Sequence, residues 1–137
     1  MRLADDTIGR LPRRMRLPPL ALLLVLLTIA LPRQALAVDP PYEPQMERLA
    51  EVLGSLYFLN PLCKPGAADW RQQMADLIKL DQPDEDRQQR LFGAFNAGYA
   101  AYSRLYRICT PSAEEALARL LVEAETTARE IHSRYAE

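Results

Sequence analysis

Apolar residues recur at helical spacing in four segments of this chain. In the first segment they stand three and four residues apart after Pro44, so on a helix they form one stripe. We predict that this helix begins at Pro44, since proline is tolerated in a first turn, and that Pro61 and the turn at residues 64–66 end it. The stripe consists of Met46, Leu49, Ala50, Leu53, Leu56, Tyr57 and Asn60.

A second, shorter helix is predicted from about Ala68 to Lys79. Asp69 would fall in its first turn, where a carboxylate opposes the positive end of the helix dipole. The apolar face of this helix consists of Trp70, Met74, Leu77 and Ile78.

The acidic segment at residues 81–86 predicts the start of a third, long helix. Asp81 is a suitable N-cap, and Pro83 fits the first turn. A cation site is the alternative, but the segment lacks the alternating ligands and the turn glycine of a calcium loop. The predicted apolar face contains Leu91, Phe92, Phe95, Gly98, Tyr99, Tyr102, Leu105, Tyr106 and Cys109.

A fourth helix is predicted to start with Thr110 as its N-cap and Pro111 at its first position. No stretch of the chain alternates with the two-residue period of a strand. The fold class is therefore all-α, a small four-helix bundle over residues 44–137 that follows an extended segment at residues 38–43. The apolar face of the fourth helix contains Ala113, Leu117, Leu120, Leu121, Ala124, Ala128, Ile131 and Tyr135.

Residues 17–31 form an uncharged apolar stretch that follows four arginines and precedes small residues ending at Ala37. This is the pattern of a secretory signal peptide cleaved after Ala37. A retained anchor is the alternative, but a membrane span needs about 20 apolar residues. We therefore expect a periplasmic domain that meets the membrane only during export. Translation from either Met1 or Met15 would give a complete signal.

The charge of the chain is unevenly distributed. The 137 residues carry a formal net charge of −1, but residues 1–37 hold six arginines and two aspartates. Residues 38–137 therefore hold eleven basic side chains, two of them lysines, against sixteen acidic ones. Residues 38–137 therefore lack the basic surface that binds a phosphate backbone, so nucleic acid is not expected as a partner.

The only two cysteines, Cys63 and Cys109, both lie in the predicted exported part. In an oxidising compartment they are expected to pair as a structural disulfide. Closing a loop of this length contributes about 4 kcal/mol in the chain-entropy estimate. A redox pair or a metal site is less favoured, because there is no C-x-x-C motif and His132 is the only histidine.

No constellation of catalytic residues is visible in the sequence. There is no G-x-S-x-G or H-E-x-x-H motif, and His132 is interpreted as a surface residue of a charged helix. We therefore expect no catalytic residue, metal or cofactor. Two alternatives stay open: a peptidoglycan-binding or cell-wall-active enzyme that uses surface carboxylates, and a carrier of a small molecule or lipid.

The segment at residues 92–109 is chemically unusual. Gly93 and Gly98 each cost about 1 kcal/mol relative to alanine inside a helix, which suggests that another helix or a ligand approaches the backbone there. The tyrosines and arginines around them are either the rim of the bundle core or a surface that docks another envelope protein. The candidate interaction patch consists of Trp70, Arg71, Asn96, Tyr99, Tyr102, Tyr106 and Arg107.

These residues belong to a set of short motifs that resembles a family of small exported alphaproteobacterial proteins with a domain of unknown function. The resemblance covers Tyr42 to Tyr135 and implies a periplasmic protein without established enzymatic activity, associated with polar growth and division of the cell envelope. The motifs are Pro41-Tyr42-Glu43-Pro44, Leu62-Cys63, Trp70-Arg71 with Met74, Phe95-Asn96 with Gly98-Tyr99, and Tyr106-Arg107 with Cys109-Thr110-Pro111.

Overall fold

A computed structural model of the protein describes residues 38–66 and 68–135. Most of the residues in these ranges belong to four helices. No strand occurs in these ranges, so the all-α prediction is confirmed. The predicted signal peptide, residues 1–37, lies outside the described residues. No helix of the described part is long and apolar enough to cross a membrane. The helices are α1 (Glu43–Cys63), α2 (Trp70–Asp81), α3 (Glu85–Leu105) and α4 (Pro111–Tyr135).

Helix α1 lies at the centre of the domain. Each of the other helices packs against α1, most extensively α3, whereas α2, α3 and α4 make little contact with one another within the described ranges. The physical reason is the uncharged run at residues 52–63, which buries side chains on several faces instead of the single predicted stripe. The most deeply buried side chains of α1 include Ala50, Val52, Leu56 and Leu59.

Two glycines allow α1 and α3 to approach closely. A Cβ atom on Gly98 would lie 1.9 Å from the backbone oxygen of Glu51, and one on Gly54 would lie 1.8 Å from the backbone oxygen of Phe95. The expectation of a close backbone approach is thus confirmed at Gly98. It is wrong at Gly93, where an added Cβ would meet no described atom within 4 Å.

The C-terminal end of α1 extends beyond the predicted stop. Pro61 lies inside the helix, which continues to Cys63, so the prediction that Pro61 ends it was wrong. Pro61 is exposed, and the last turn is closed by a hydrogen bond from the Lys64 backbone N–H to the Asn60 carbonyl oxygen, 2.6 Å. Leu62 and Cys63 also pack against the core, which holds the turn in place.

The boundary between α2 and α3 also differs from the prediction. Asp81 is the last residue of α2, and Asp84 is the N-cap of α3, its carboxylate accepting a hydrogen bond from the Arg87 backbone N–H at 2.8 Å. Gln82 adopts a left-handed conformation with φ 48° that ends α2. Pro83 therefore precedes the capping residue instead of lying in the first turn, because the cap moves three residues along the chain.

The disulfide is present and joins the end of α1 to the segment between α3 and α4. The Cα atoms of Cys63 and Cys109 are 5.0 Å apart, and the two Sγ atoms are 1.99 Å apart. Helix α3 ends at Leu105, so Cys109 lies beyond that helix and not on its apolar face, as the spacing predicted. The predicted Thr110 cap is confirmed, since its hydroxyl accepts from the Ala113 backbone N–H at 3.2 Å.

Candidate functional site: an aromatic groove between α2 and α3

A groove with a volume of about 690 Å³ lies between α2 and α3. We call it the aromatic groove. Because α2 and α3 both pack on α1 but hardly on each other, a gap stays open between them, and Tyr57 of α1 lies in it. The groove is lined by Tyr57, Arg71, Met74, Ala75, Ile78, Gln88, Phe92, Phe95, Asn96 and Tyr99.

Each wall of the groove is one stripe of a helix. The α2 wall uses positions 71, 74, 75 and 78, and the α3 wall uses positions 92, 95, 96 and 99. Both sets follow the spacing i, i+3, i+4, i+7, which places all four side chains of a set on one helix face. The two walls therefore present continuous side-chain surfaces to each other over about 10 Å, the length of seven helical steps.

The aromatic rings of the groove form a connected cluster. The ring centroid of Tyr57 is 5.7 Å from that of Phe95 and 5.9 Å from that of Tyr99, and Phe58 meets Tyr99 edge-on at 5.6 Å. These distances are within the range of favourable aromatic pairs. Phe92 and Tyr99 nevertheless remain 38% and 41% exposed. The cluster is thus fixed at its base by α1 and accessible at its opening.

The polar groups of the groove are one guanidinium, which only donates hydrogen bonds, and amides and hydroxyls, which both donate and accept. Among the described residues, Arg71 is the only charged one in the lining, and Gln88 and Asn96 add amide groups. No carboxylate of the described ranges lines the groove. Within the described ranges, the Arg71 guanidinium forms no salt bridge.

The structure divides the predicted interaction patch into separate locations. Arg71, Asn96 and Tyr99 line the aromatic groove together. Trp70 is part of the junction between helices instead, because its indole N–H donates to Asn60 Oδ1 at 3.0 Å and its ring packs against the core. The patch residues near the C-terminal end of α3 lie elsewhere.

Tyr102 and Tyr106 stack on each other, with ring centroids 6.3 Å apart and planes inclined by 16°. Both rings are half-buried against the core, as expected for the rim of a bundle. Arg107 is exposed in the segment that leads to Cys109. None of these three residues lines the aromatic groove.

Sequence reasoning assigned several groove residues to the core. Phe92 and Phe95 were placed on the core face of α3, and Tyr57 on the stripe of α1. The signal that separates the two faces of α3 is the spacing itself: Leu91 and Phe92 are neighbours, so they point about 100° apart. Leu91 is buried and Phe92 is exposed.

The most buried carboxylates of the described part, those of Glu43 and Asp81, are paired with an arginine near the N-terminal end of α1. Arg87, 8% exposed, donates to Glu43 Oε2 from its Nε atom at 2.8 Å and to Asp81 Oδ2 at 2.8 Å. Arg90 pairs with Glu43 as well and with three further carboxylates, those of Asp39, Glu47 and Asp86. We call this set the arginine cluster. It fastens the start of α1 to the end of α2 and the start of α3.

The contacts within the arginine cluster raise the pKa values of two of the groups involved, Arg87 and Tyr42. Burial opposes the charge of Arg87, but the hydrogen bond to Glu43 and the attraction of Asp81 outweigh it, so the pKa of Arg87 is raised. Tyr42 donates its hydroxyl proton to Asp81 Oδ1 at 2.9 Å. This hydrogen bond, reinforced by burial, raises the pKa of the Tyr42 phenol. Both shifts favour the protonated forms that hold the carboxylates.

A second, shallower groove of about 410 Å³ runs between α2 and α4. Its lining is mainly apolar and includes Met46, Leu77 and Ile131. His132 is exposed at its edge, in agreement with the prediction of a surface histidine. In the described part of the chain, no three His, Cys, Asp or Glu residues are grouped as a metal site.

Comparison with known proteins supports one assignment. No curated protein and no solved structure gives a significant match to the chain. A family model described as a protein of unknown function, DUF2385, matches residues 41–135. The match covers all four helices, both cysteines and both walls of the aromatic groove. The chain therefore belongs to the DUF2385 family of proteins of unknown function.

Proposed function

We propose that this domain is a non-catalytic, extracytoplasmic binding module that docks a segment of another envelope protein in the aromatic groove. The observation that carries the proposal is the groove itself, where partly exposed Phe92 and Tyr99 stand above an aromatic base. Aromatic residues combine a large contact area with a low cost in conformational entropy, which is why they dominate the energetics of protein interfaces.

The chemistry of the groove favours binding over turnover. The described residues of its lining offer rings, amides and one guanidinium, but no nucleophile next to a base and no pair of carboxylates. The most buried carboxylates, Glu43 and Asp81, are hydrogen-bonded to Arg87 and lie outside the groove. A carboxylate enzyme would have to use acids on the solvated surface.

We also propose that the domain is located in the periplasm. The apolar leader and the cysteine pair both favour export to the periplasm, where a disulfide is stable. Its partner would then be a protein of the cell envelope. Following the resemblance to exported alphaproteobacterial proteins, we place that partner in the machinery for polar growth or division.

The proposal is tested by site-specific photo-cross-linking in cells. A benzophenone amino acid replaces Phe92 or Tyr99 at the opening of the groove, and in a control it replaces Val122, which is 64% exposed on α4. We expect a discrete cross-linked protein from the groove positions and none from Val122. The adduct at position 99 should disappear when Phe92→Glu places a charge in the groove.

Other outcomes of the cross-linking experiment would contradict the proposal. Thermal unfolding of each variant shows that the fold is intact before adducts are compared. Equal adducts at all three positions, or none at the groove positions in a folded protein, would contradict docking in the aromatic groove. Release of fragments from purified peptidoglycan by the protein would instead favour the cell-wall enzyme.

A further inference from the structure

We infer that the aromatic groove selects a short peptide segment that combines apolar side chains with a carboxylate, and that Arg71 binds this carboxylate. The inference rests on the proposed function and gives the chemical class of the docked segment. It follows from the charge of the groove, the position of Arg71 on its helix and the length of the groove walls.

The charge of the groove is opposite to that of the domain around it. Residues 38–137 carry sixteen acidic and eleven basic side chains. The groove nevertheless contains no acid and a single cation, Arg71, which is exposed and forms no salt bridge in the described ranges. A carboxylate is therefore attracted at this position and repelled over much of the remaining surface.

The positive charge of Arg71 does not stabilise α2. Arg71 is the second residue of the helix, where the helix dipole disfavours positive charge. The N-terminal backbone groups there are already capped, because Asp69 accepts from the backbone N–H groups of Arg71 and Gln72 at 3.1 and 3.0 Å. The guanidinium itself has its fork of donors available for a carboxylate.

The remaining lining favours a peptide over a fatty acid as the carrier of the carboxylate. Gln88 and Asn96 on the α3 side can each donate to and accept from a peptide backbone. A hydrocarbon chain would cover these amides without hydrogen bonds, at a cost for each one. The walls extend over about 10 Å, which is the length of about three extended residues. Ile78 and the aromatic rings provide contacts for two apolar side chains.

The test uses blocked tripeptides as probes of the complete protein, expressed with its own leader and purified oxidised. The first two positions carry Leu, Ile or Phe, and the third carries Asp, Asn or Lys. Binding is followed by NMR chemical-shift titration at low salt. We expect shifts at Phe92, Asn96 and Tyr99, with the Asp peptides binding about twofold to fivefold more tightly than their Asn counterparts, the usual effect of an exposed ion pair.

Variants of Arg71 separate charge recognition from docking. In Arg71→Gln the Asp and Asn peptides should bind equally, while contacts of the apolar positions persist. In Arg71→Glu the Lys peptides should become the preferred ones. Arg104→Gln is the matched control: it changes an exposed arginine of α3 outside the groove lining, so the Asp preference should remain.

The possible outcomes distinguish the two proposals. Equal affinity of Asp and Asn peptides for the unaltered protein would overturn the carboxylate inference and leave docking in the groove intact. Absence of shifts at the groove residues with every peptide would overturn both. Decanoate binding that depends on Arg71 and exceeds that of all Asp peptides would overturn the peptide inference and favour a lipid carrier.

Discussion

At the level of single residues, two glycines of the same helix have opposite environments. Gly98 faces the α1 backbone, and a Cβ there would lie 1.9 Å from the Glu51 carbonyl oxygen. Backbone atoms cannot move aside as the end of a flexible side chain does, so the two helices would have to separate. Gly93 faces open space in the described structure. From the sequence alone, Gly93 and Gly98 are predicted to be equally unfavourable in a helix.

This difference predicts opposite effects of the same substitution. Gly98→Ala should lower the free energy of unfolding by about 3 kcal/mol, because the added methyl group overpacks the contact between α1 and α3. Gly93→Ala should raise it by about 0.5–1 kcal/mol through helix propensity alone. Urea denaturation followed by circular dichroism measures both. Equal effects of the two substitutions would contradict the close approach of α1 and α3 at Gly98.

At the level of elements, two aspartates at the short connection between α2 and α3 have different structural roles. Asp84 caps α3 by accepting from a backbone N–H. Asp81 ends α2 and provides a charge for buried Arg87. A cap requires only an oxygen acceptor, whereas a buried guanidinium requires compensating charge. The two sites should therefore respond differently to loss of charge.

Substitution by asparagine separates these two functions. Asp84→Asn should change the free energy of unfolding little, because asparagine also caps helices, whereas Asp84→Ala should lower it by about 1 kcal/mol. Asp81→Asn should lower it by about 2 kcal/mol, since it removes a charged hydrogen-bond partner of Arg87. Chemical denaturation at neutral pH provides the values. If Asp84→Asn were the more damaging change, Asp84 would not act as a simple cap.

At the level of the whole molecule, the domain depends on one helix and one covalent link. Helices α2, α3 and α4 are connected mainly through α1, so the core is not shared equally among four neighbours. The disulfide adds a connection that packing does not provide, from the end of α1 to the segment between α3 and α4. It restricts the unfolded chain across 46 positions.

Removal of the disulfide should therefore cost considerable stability. The double variant Cys63→Ala with Cys109→Ala should lose about 4 kcal/mol, the chain-entropy value for a loop of this size. Its melting temperature should match that of the unaltered protein measured with reductant. A melting temperature of the double variant equal to that of the oxidised protein would show that the link does not stabilise the domain.

The sequence by itself determined the features that depend on local chemistry. Helical spacing and caps such as Thr110 located the four helices, since both act within a few neighbouring residues. The cysteine pairing followed from the count of two, and the backbone approach at Gly98 from the cost of glycine in a helix. Local signals failed at Gly93, which has the same helix cost as Gly98 but no close neighbour, and at boundaries such as Pro61 and Asp81, where distant contacts outweigh local preference.

Only the tertiary structure decided which faces meet and which stay open. Helix α3 carries two apolar stripes, one through Leu91 and Gly98 and one through Phe92 and Tyr99, and spacing alone ranks them equally. The first packs on α1 because glycine permits the closer approach, so the second is left as a wall of the aromatic groove. The partner of Asp81, the central position of α1 and the meeting of Arg71 with Tyr99 also arise from contacts between elements, which periodicity along one helix does not specify.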